Sequence, residues 1–330
     1  MSSVTVDDNY PYTGSRASSG ILNPVMGRKR LPVPDLLHLL PAAIETYRKI
    51  EQLLGIPLLH SIVLTDVHVT QEEAEFFRER AEALPEYLAV PSDDGERWHR
   101  YFQVPFGTGE TEGAWLLDVS SFLQGWNSYL KEKQAIISAR WEADTYNINE
   151  DGVVWNDIHA KKLIYCSGSG AFSDPLFKSL PLSSNKGEAL IIDIETDLPR
   201  DRVYKRGMGL TLAPWKERLW WAGASSEWQY ESVLPTASYR QYMESQLKSW
   251  LREPFTILDH ISGERPTSLD RRPIVGLHPQ RQNVGVLNGM GTKGVLQAPY
   301  YATQLANHLA YGKPLDNSTD LVRYQRALLR

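Results

Sequence analysis

The sequence predicts a mixed protein, α/β plus α+β, and three observations predict it. The chain has 330 residues, enough for about two domains at roughly 150 residues each. Strand-like runs, amphipathic helices and hairpin signals follow one another in mixed order, as when antiparallel hairpins are set between α/β pieces. Near the C-terminus a strand, a glycine turn and a helix come in direct succession, the order used by α/β ligand-binding units.

Taken from the start, Val4-Thr5-Val6 reads as a short buried strand ending on Asp7-Asp8, and Pro11, Gly14 and Ser15 then supply turn chemistry. Leu36, Leu40, Ala43, Tyr47, Ile50 and Leu54 recur at helical spacing until Gly55 and Pro57 stop them, with Pro41 predicting a kink or restart. Thr70 and Glu73 form a capping box before a second helix that ends near Leu84. Asp118 is the N-cap of a third helix marked by Val119, Phe122, Leu123, Trp126 and Leu130. Asp151-Gly152 is a hairpin signal between two strand-like runs. Lys162 to Cys166 reads as a buried strand entering Ser167-Gly168-Ser169-Gly170. Ala189 to Ile194, Gly209 to Ala213 and Leu219 to Ala224 add strands before a helix over Tyr239 to Leu251. Val284 to Asn288 is the last strand, and Val295 to Ala310 the last helix, closed by Gly312 and Pro314.

A content of 42% hydrophobic and 23% charged residues, with no low-complexity tract, excludes a disordered chain. The net charge of −5 and the pI near 5.9 argue against nucleic acid as a partner. The one tight basic run, Arg28-Lys29-Arg30, reads as a solvated loop. A single cysteine, Cys166, allows neither an intrachain disulfide nor a cysteine-rich zinc site; it reads as a small buried hydrophobe. No metal site is expected. The N-terminus shows no basic segment followed by an apolar run, and no eighteen apolar residues stand together, so the expectation is a cytoplasmic protein without a membrane span. Ten Trp and sixteen Tyr admit a carbohydrate-binding reading, but most such residues are packing material.

The turn Gly289-Met290-Gly291-Thr292-Lys293-Gly294 fits G-x-G-x-x-G. Glycines allow a ligand close to the backbone, and the helix that follows offers free N–H groups and a positive dipole end. A dinucleotide fingerprint also needs an acid closing a second strand about twenty residues later. Here only a helix and a polar tail follow, so the turn alone leaves ligand binding and a tight packed turn both open.

Two longer segments resemble the D-amino-acid oxidase and glycine oxidase superfamily: Ser15-Arg16-Ala17-Ser18-Ser19-Gly20-Ile21-Leu22-Asn23-Pro24, and the run Gly263 to Gly276, which reads GERPTSLDRRPIVG. The turn from Gly289 with Ala298-Pro299 is similar to the same family, as are Asp118 after Trp115, the Cys166-Ser167-Gly168 strand end and Lys186-Gly187-Glu188. The resemblance covers nearly the whole chain and is weakest over residues 60–113. It implies an FAD-binding Rossmann-like domain, built from residues 1–30, 115–183 and 262–330, interleaved with an antiparallel-sheet substrate domain of residues 31–114 and 184–261.

The resemblance also implies roles. Asp8 would bind the adenosine ribose, its alternative being a surface turn acid; Arg16, Ala17 and Ser18 would run along the cofactor. The Ser167-Gly168 backbone would touch FAD, and Gly289, Gly291, Thr292, Lys293 and Gly294 would aim a helix N-terminus at the pyrimidine end of the flavin. Arg265 would hold a substrate carboxylate, against the alternative of a structural salt bridge; Tyr204 and Arg206 would line the substrate pocket. Met290 and Thr292 stand where family members often carry histidine or arginine, which leaves the substrate open. The implied reaction is oxidation of a C–N bond in a small amine or amino acid by hydride transfer to flavin. The alternative is a non-catalytic scaffold that retains the fold. Asp8 has only seven residues before it, so the expectation is a chain lacking the first strand, glycine turn and helix and binding FAD poorly as it stands.

Overall fold

The computed structural model describes residues 2–142, 145–149, 151–207 and 209–329. Their largest element is a nine-stranded sheet. Phe255–Ser268, Leu182–Ile194, Trp220–Gly223, Leu210–Pro214, Arg202–Arg206, Leu59–Val67, Thr108–Leu117 and Ile21–Leu22 lie side by side in that order, and Leu88–Ala89 also pairs with Thr108–Leu117. Neighbours run antiparallel except Arg202–Arg206 against Leu59–Val67, which are parallel. Residues 189–192 of Leu182–Ile194 are all apolar because both faces of the strand are covered there. Leu190 and Ile192 pack with Leu212, Met243 and Trp250, whereas Ala189 and Ile191 pack with Ile62, Ala114 and Val203.

Shorter parallel pairs form a second region. Thr5–Asp7 pairs with Ile136–Ser138, and Leu163–Tyr165 pairs with Arg281–Asn288, which is flanked by Ile274–His278. Among the described residues, five helices longer than two turns frame these sheets: α1 (Leu36–Leu54), α2 (Gln71–Ala83), α3 (Val119–Glu132), α4 (Ala237–Lys248) and α5 (Gly294–Tyr311). α1 and α5 share one core through Leu39, Tyr47, Leu296 and Leu305, and the Tyr47 hydroxyl donates to the Val295 carbonyl at 2.8 Å.

The expected caps act where the sequence puts them. Thr70 Oγ1 accepts from Glu73 N at 3.2 Å, and Glu73 reaches back to Val69 N at 2.9 Å, one residue before the usual capping-box target. Asp118 accepts from Ser121 N at 2.9 Å, and Gly55 and Gly312 end their helices in the left-handed region.

Three expectations are corrected. α1 is one continuous helix through Pro41, not a helix restarted there. Cys166 is exposed, not a buried hydrophobe, although the surrounding protein still pushes its thiol up to about 11. Arg28-Lys29-Arg30 is not simply a solvated run, since Arg30 is tied at 3.1 Å to Asp66, a carboxylate only 3% exposed.

Three long strands have no counterpart in the sequence reading: Leu59–Val67, Thr108–Leu117 and Phe255–Ser268. The last contains Asp259, His260, Gly263, Glu264, Arg265 and Pro266, a composition that reads as loop. Pro266 is accommodated because the strand lies at the edge of the sheet, where a missing N–H breaks no central ladder. Phe255–Ser268 and Thr108–Leu117 run without interruption across the expected domain borders at 262 and 115.

Candidate flavin and substrate site

The edge strand Phe255–Ser268 is where the expected site segments meet. Its outer edge takes two isolated bridges, a parallel one from Thr13 to Glu264 and an antiparallel one from Met290 to Thr267. Thr13 precedes the Arg16-Ala17-Ser18 loop, and Met290 lies inside the glycine turn. Segments nearly three hundred residues apart in the chain therefore flank Arg265, and only strand pairing brings them there.

Arg265 stands opposite Asn185 in the register. Its Nη1 donates to Asn185 Oδ1 at 2.9 Å and to the Ser225 carbonyl at 3.2 Å. The guanidinium lies on Gly187 so closely that a Cβ there would fall 1.7 Å from Nη2. Burial pulls its pKa below the usual arginine value, and no carboxylate pairs with it among the described residues. The structural salt bridge weighed as its alternative is absent among those residues. Both Nη1 partners are neutral, so the cation retains its attraction for an anion.

Lys186-Gly187-Glu188 gains its meaning from strand alternation. Gly187 faces Arg265, whereas Lys186 and Glu188 face the start of α4. There Lys186 Nζ lies 3.0 Å from Glu188 Oε1 and donates to the Leu234 carbonyl at 2.7 Å, with both side chains essentially sealed from solvent. Glu188 accepts from Thr236 N at 2.7 Å and Thr236 Oγ1 at 2.9 Å, which fixes the N-cap of α4, and His260 Nε2 lies 2.9 Å from its Oε2. Burial lowers the His260 pKa against the opposing pull of Glu188.

The cofactor-loop residues surround the same strand. Ala17 is buried, its carbonyl accepts from Trp221 Nε1 at 3.1 Å, and the Thr13 carbonyl oxygen, 2.5 Å from where a Cβ would lie, limits Gly263 to a bare backbone with the Ala17 Cβ behind it at 3.0 Å. Arg16 is exposed and donates to Asn9 Oδ1 at 2.9 Å, and Ser18 Oγ accepts from Gly20 N at 3.1 Å. Gly168 follows Ser167 in the left-handed region, accepts at its carbonyl from Asn288 Nδ2 at 2.8 Å, and lies next to Pro266. Gly291, with φ of 54°, backs onto Thr267 Oγ1, where a Cβ would come within 3.1 Å. Thr292 is exposed, and no side chain caps the first turn of α5 after Lys293.

This surface fits a flavin nucleotide. Space is open around Gly294 and nearly so around Gly168, and the uncapped α5 amides are available to an electron-rich group. Asp8, exposed just past Thr5–Asp7, accepts only from its own turn at Tyr10 N among the described residues, leaving carboxylate oxygens for ribose hydroxyls.

Tyr204 and Arg206 do not line this site. Tyr204 is fully buried among Trp98, Phe102 and Trp220, with its hydroxyl bonded to the Pro199 carbonyl, while Arg206 bonds Ser249 and the Gln246 carbonyl at the end of α4. The residue between them, Lys205, points the other way and lines a cavity of about 250 Å³ with Asn23, Met26, Arg28, Thr292 and Lys293. Choosing the right strand with the wrong parity puts every side chain on the opposite face. Asn185, Ser225 and Trp221, which position Arg265 and the Ala17 loop, were not foreseen; only the adjacent Lys186-Gly187-Glu188 landmark hinted at the first.

The fold has well-covered relatives among solved structures. Glycine oxidase from Geobacillus kaustophilus matches with a TM-score of 0.79 at 17% identity, covering 96% of this chain and 91% of that one. Iminodiacetate oxidase from Chelativorans matches at 0.74 and 18% identity over the same shares, and L-proline dehydrogenase from P. horikoshii at 0.69 and 15%, covering 93% and 88%. A family model described as FAD-dependent oxidoreductase matches residues 2–308, and with FAD as its cofactor this chain belongs to that DAO family.

Proposed function

We propose that the chain oxidises the C–N bond of a small amine or amino acid whose carboxylate is held by Arg265. The observation that carries this reading is the lone guanidinium: largely buried, braced by neutral acceptors and without an acidic partner among the described residues, on the strand where the Ala17 loop and the glycine turn meet. A carboxylate placed there gains charge-assisted hydrogen bonds and fixes the substrate's Cα relative to the flavin. FAD, when bound, would supply the two-electron oxidation of the C–N bond and would need an external electron acceptor to be reoxidised; the substrate, having also lost an amine proton, would leave as an imine that water hydrolyses. The role of Asn185 and Ser225 is to keep the guanidinium in place before substrate arrives, and that of Gly294, with nothing near its missing Cβ, is to leave room for the flavin. Asp8 and the α5 amides are assigned to the cofactor's ribose and pyrimidine ends.

The test is a titration of benzoate into the FAD-saturated protein, followed by the flavin absorption spectrum. Arg265→Ala should weaken benzoate by roughly ten- to a hundredfold, the equivalent of losing a charged hydrogen-bonded contact, while FAD remains bound. Equal affinity in the two proteins would show that Arg265 holds no carboxylate.

A further inference from the structure

Resting on the reading of Arg265 as the carboxylate receptor, we infer that the Ser225 hydroxyl is a positioning group for it. The hydroxyl takes the place of its own residue's carbonyl in the strand ladder and so frees that carbonyl for the guanidinium. The chain of Trp220–Gly223 continues past its last residue alongside Leu182–Ile194, but not in the same register. Ala189 pairs with Gly223, and the next bridge joins Lys186 to Glu227. Between those two points Gly187 and Glu188 on one side face Ala224, Ser225 and Ser226 on the other. The extra residue makes a β-bulge, and bulges re-aim the groups they carry.

At the bulge the usual exchange of two backbone bonds is only half made. Ser225 N donates to the Glu188 carbonyl at 3.1 Å. The return bond from Glu188 N goes to Ser225 Oγ, at 2.9 Å, and not to the Ser225 carbonyl. Glu188 is sealed from solvent, so its N–H needs an acceptor inside the protein. The side chain supplies it, and the released carbonyl accepts from Arg265 Nη1 at 3.2 Å. The next two residues orient the other brace. Asn185 Nδ2 donates to Ser226 Oγ at 3.1 Å and to the Glu227 carbonyl at 3.2 Å. A carbonyl only accepts, so the amide nitrogen must face it, which leaves Asn185 Oδ1 for Arg265 Nη1 at 2.9 Å. Both neutral braces of the guanidinium are therefore set by one bulge.

A carbonyl brace alone would be indifferent to the side chain at position 225, because every residue carries a carbonyl. The hydroxyl makes the position depend on its side chain. Without it the Glu188 N–H would be buried and unpaired, and the acceptor that regular antiparallel pairing supplies is the carbonyl of residue 225. Turning that carbonyl into the ladder restores the strand and takes the brace from Arg265. A ligand carboxylate would then have to order the guanidinium as it binds, which weakens binding.

The experiment compares Ser225→Ala with Ser225→Thr, each titrated with benzoate in the FAD-saturated chain and each unfolded in urea. Ser225→Ala should weaken benzoate about tenfold, on the order of one hydrogen bond to a charged group. Its urea midpoint should stay at the wild-type value, because the ladder bond re-forms. Ser225→Thr keeps the hydroxyl and should bind benzoate within about twofold of wild type. In an Arg265→Ala background, Ser225→Ala should have no further effect on benzoate. Wild-type affinity in Ser225→Ala, beside a weakened Arg265→Ala, would overturn the exchange and leave the Arg265 reading standing. So would a Ser225→Ala chain that fails to fold or loses its urea midpoint, a Ser225→Thr chain as weak as Ser225→Ala, or full additivity with Arg265→Ala. If Arg265→Ala itself leaves benzoate unchanged, the carboxylate contact fails and the positioning role fails with it.

Discussion

Gly187→Ala is expected to disable carboxylate binding without unfolding the protein. The added Cβ would lie 1.7 Å from Arg265 Nη2, 2.1 Å from Cζ and 2.3 Å from Nη1. Restoring ordinary contact moves the guanidinium by roughly 2 Å, since heavy atoms settle near 3.5–4 Å. The atoms in the way end a flexible side chain, so the strand stays and the arginine yields. Its bonds to Asn185 Oδ1 at 2.9 Å and the Ser225 carbonyl at 3.2 Å are lost, at about 1.5–3 kcal/mol each for a charged donor, partly offset by the ~0.4–1 kcal/mol that Gly→Ala gains from the unfolded chain. Net destabilisation should therefore be about 2–6 kcal/mol, less where water reaches the displaced guanidinium. Benzoate affinity, read from the flavin spectrum of the FAD-saturated chain, should drop by roughly ten- to a hundredfold. In an Arg265→Ala background the clash has no target, and Gly187→Ala should change benzoate affinity by less than about twofold. Wild-type-like affinity in Gly187→Ala alone, or full additivity of the two substitutions, would refute the reasoning.

Two further outcomes are expected. Lys186→Met leaves Glu188 buried without its cation and should cost on the order of 3–5 kcal/mol in urea denaturation; a loss under about 1 kcal/mol would mean that the Thr236 and His260 contacts suffice. Stability should also decline as pH falls below about 6.5, the ordinary histidine value. Burial lowers the pKa of His68, His260 and His278, so the fold prefers their neutral forms: this contribution is complete above the unfolded value and is lost as pH drops through the depressed folded values. Urea midpoints at pH 7.5 and 5.5 measure it, and an equal or higher midpoint at pH 5.5 would contradict it. Asp66 adds nothing in this window. Burial raises its pKa, but Lys205 and Arg30 outweigh that and hold it below the usual 3.8, so its loss belongs to stronger acid.

The sequence by itself determined the local elements whose signals are local. Thr70 and Asp118 cap helices through bonds to residues three positions on, and Gly55 and Gly312 end helices by adopting a left-handed backbone. It also marked the glycine turn and the Gly263 to Gly276 run, because the family resemblance is carried there by consecutive residues. Tertiary structure alone decided what depends on a neighbouring strand. Phe255–Ser268 is a strand because Leu182–Ile194 pairs with it, despite a polar composition and Pro266. Lys205 rather than Tyr204 or Arg206 reaches the cavity, because strand pairing sets which face is inward and a one-residue shift reverses it. Arg265 stays clear of any acid among the described residues, and is braced instead by Asn185 and Ser225, far away in sequence. A lone arginine in a sequence carries no mark of its partners; burial and pairing leave it unpaired, and that places the candidate site.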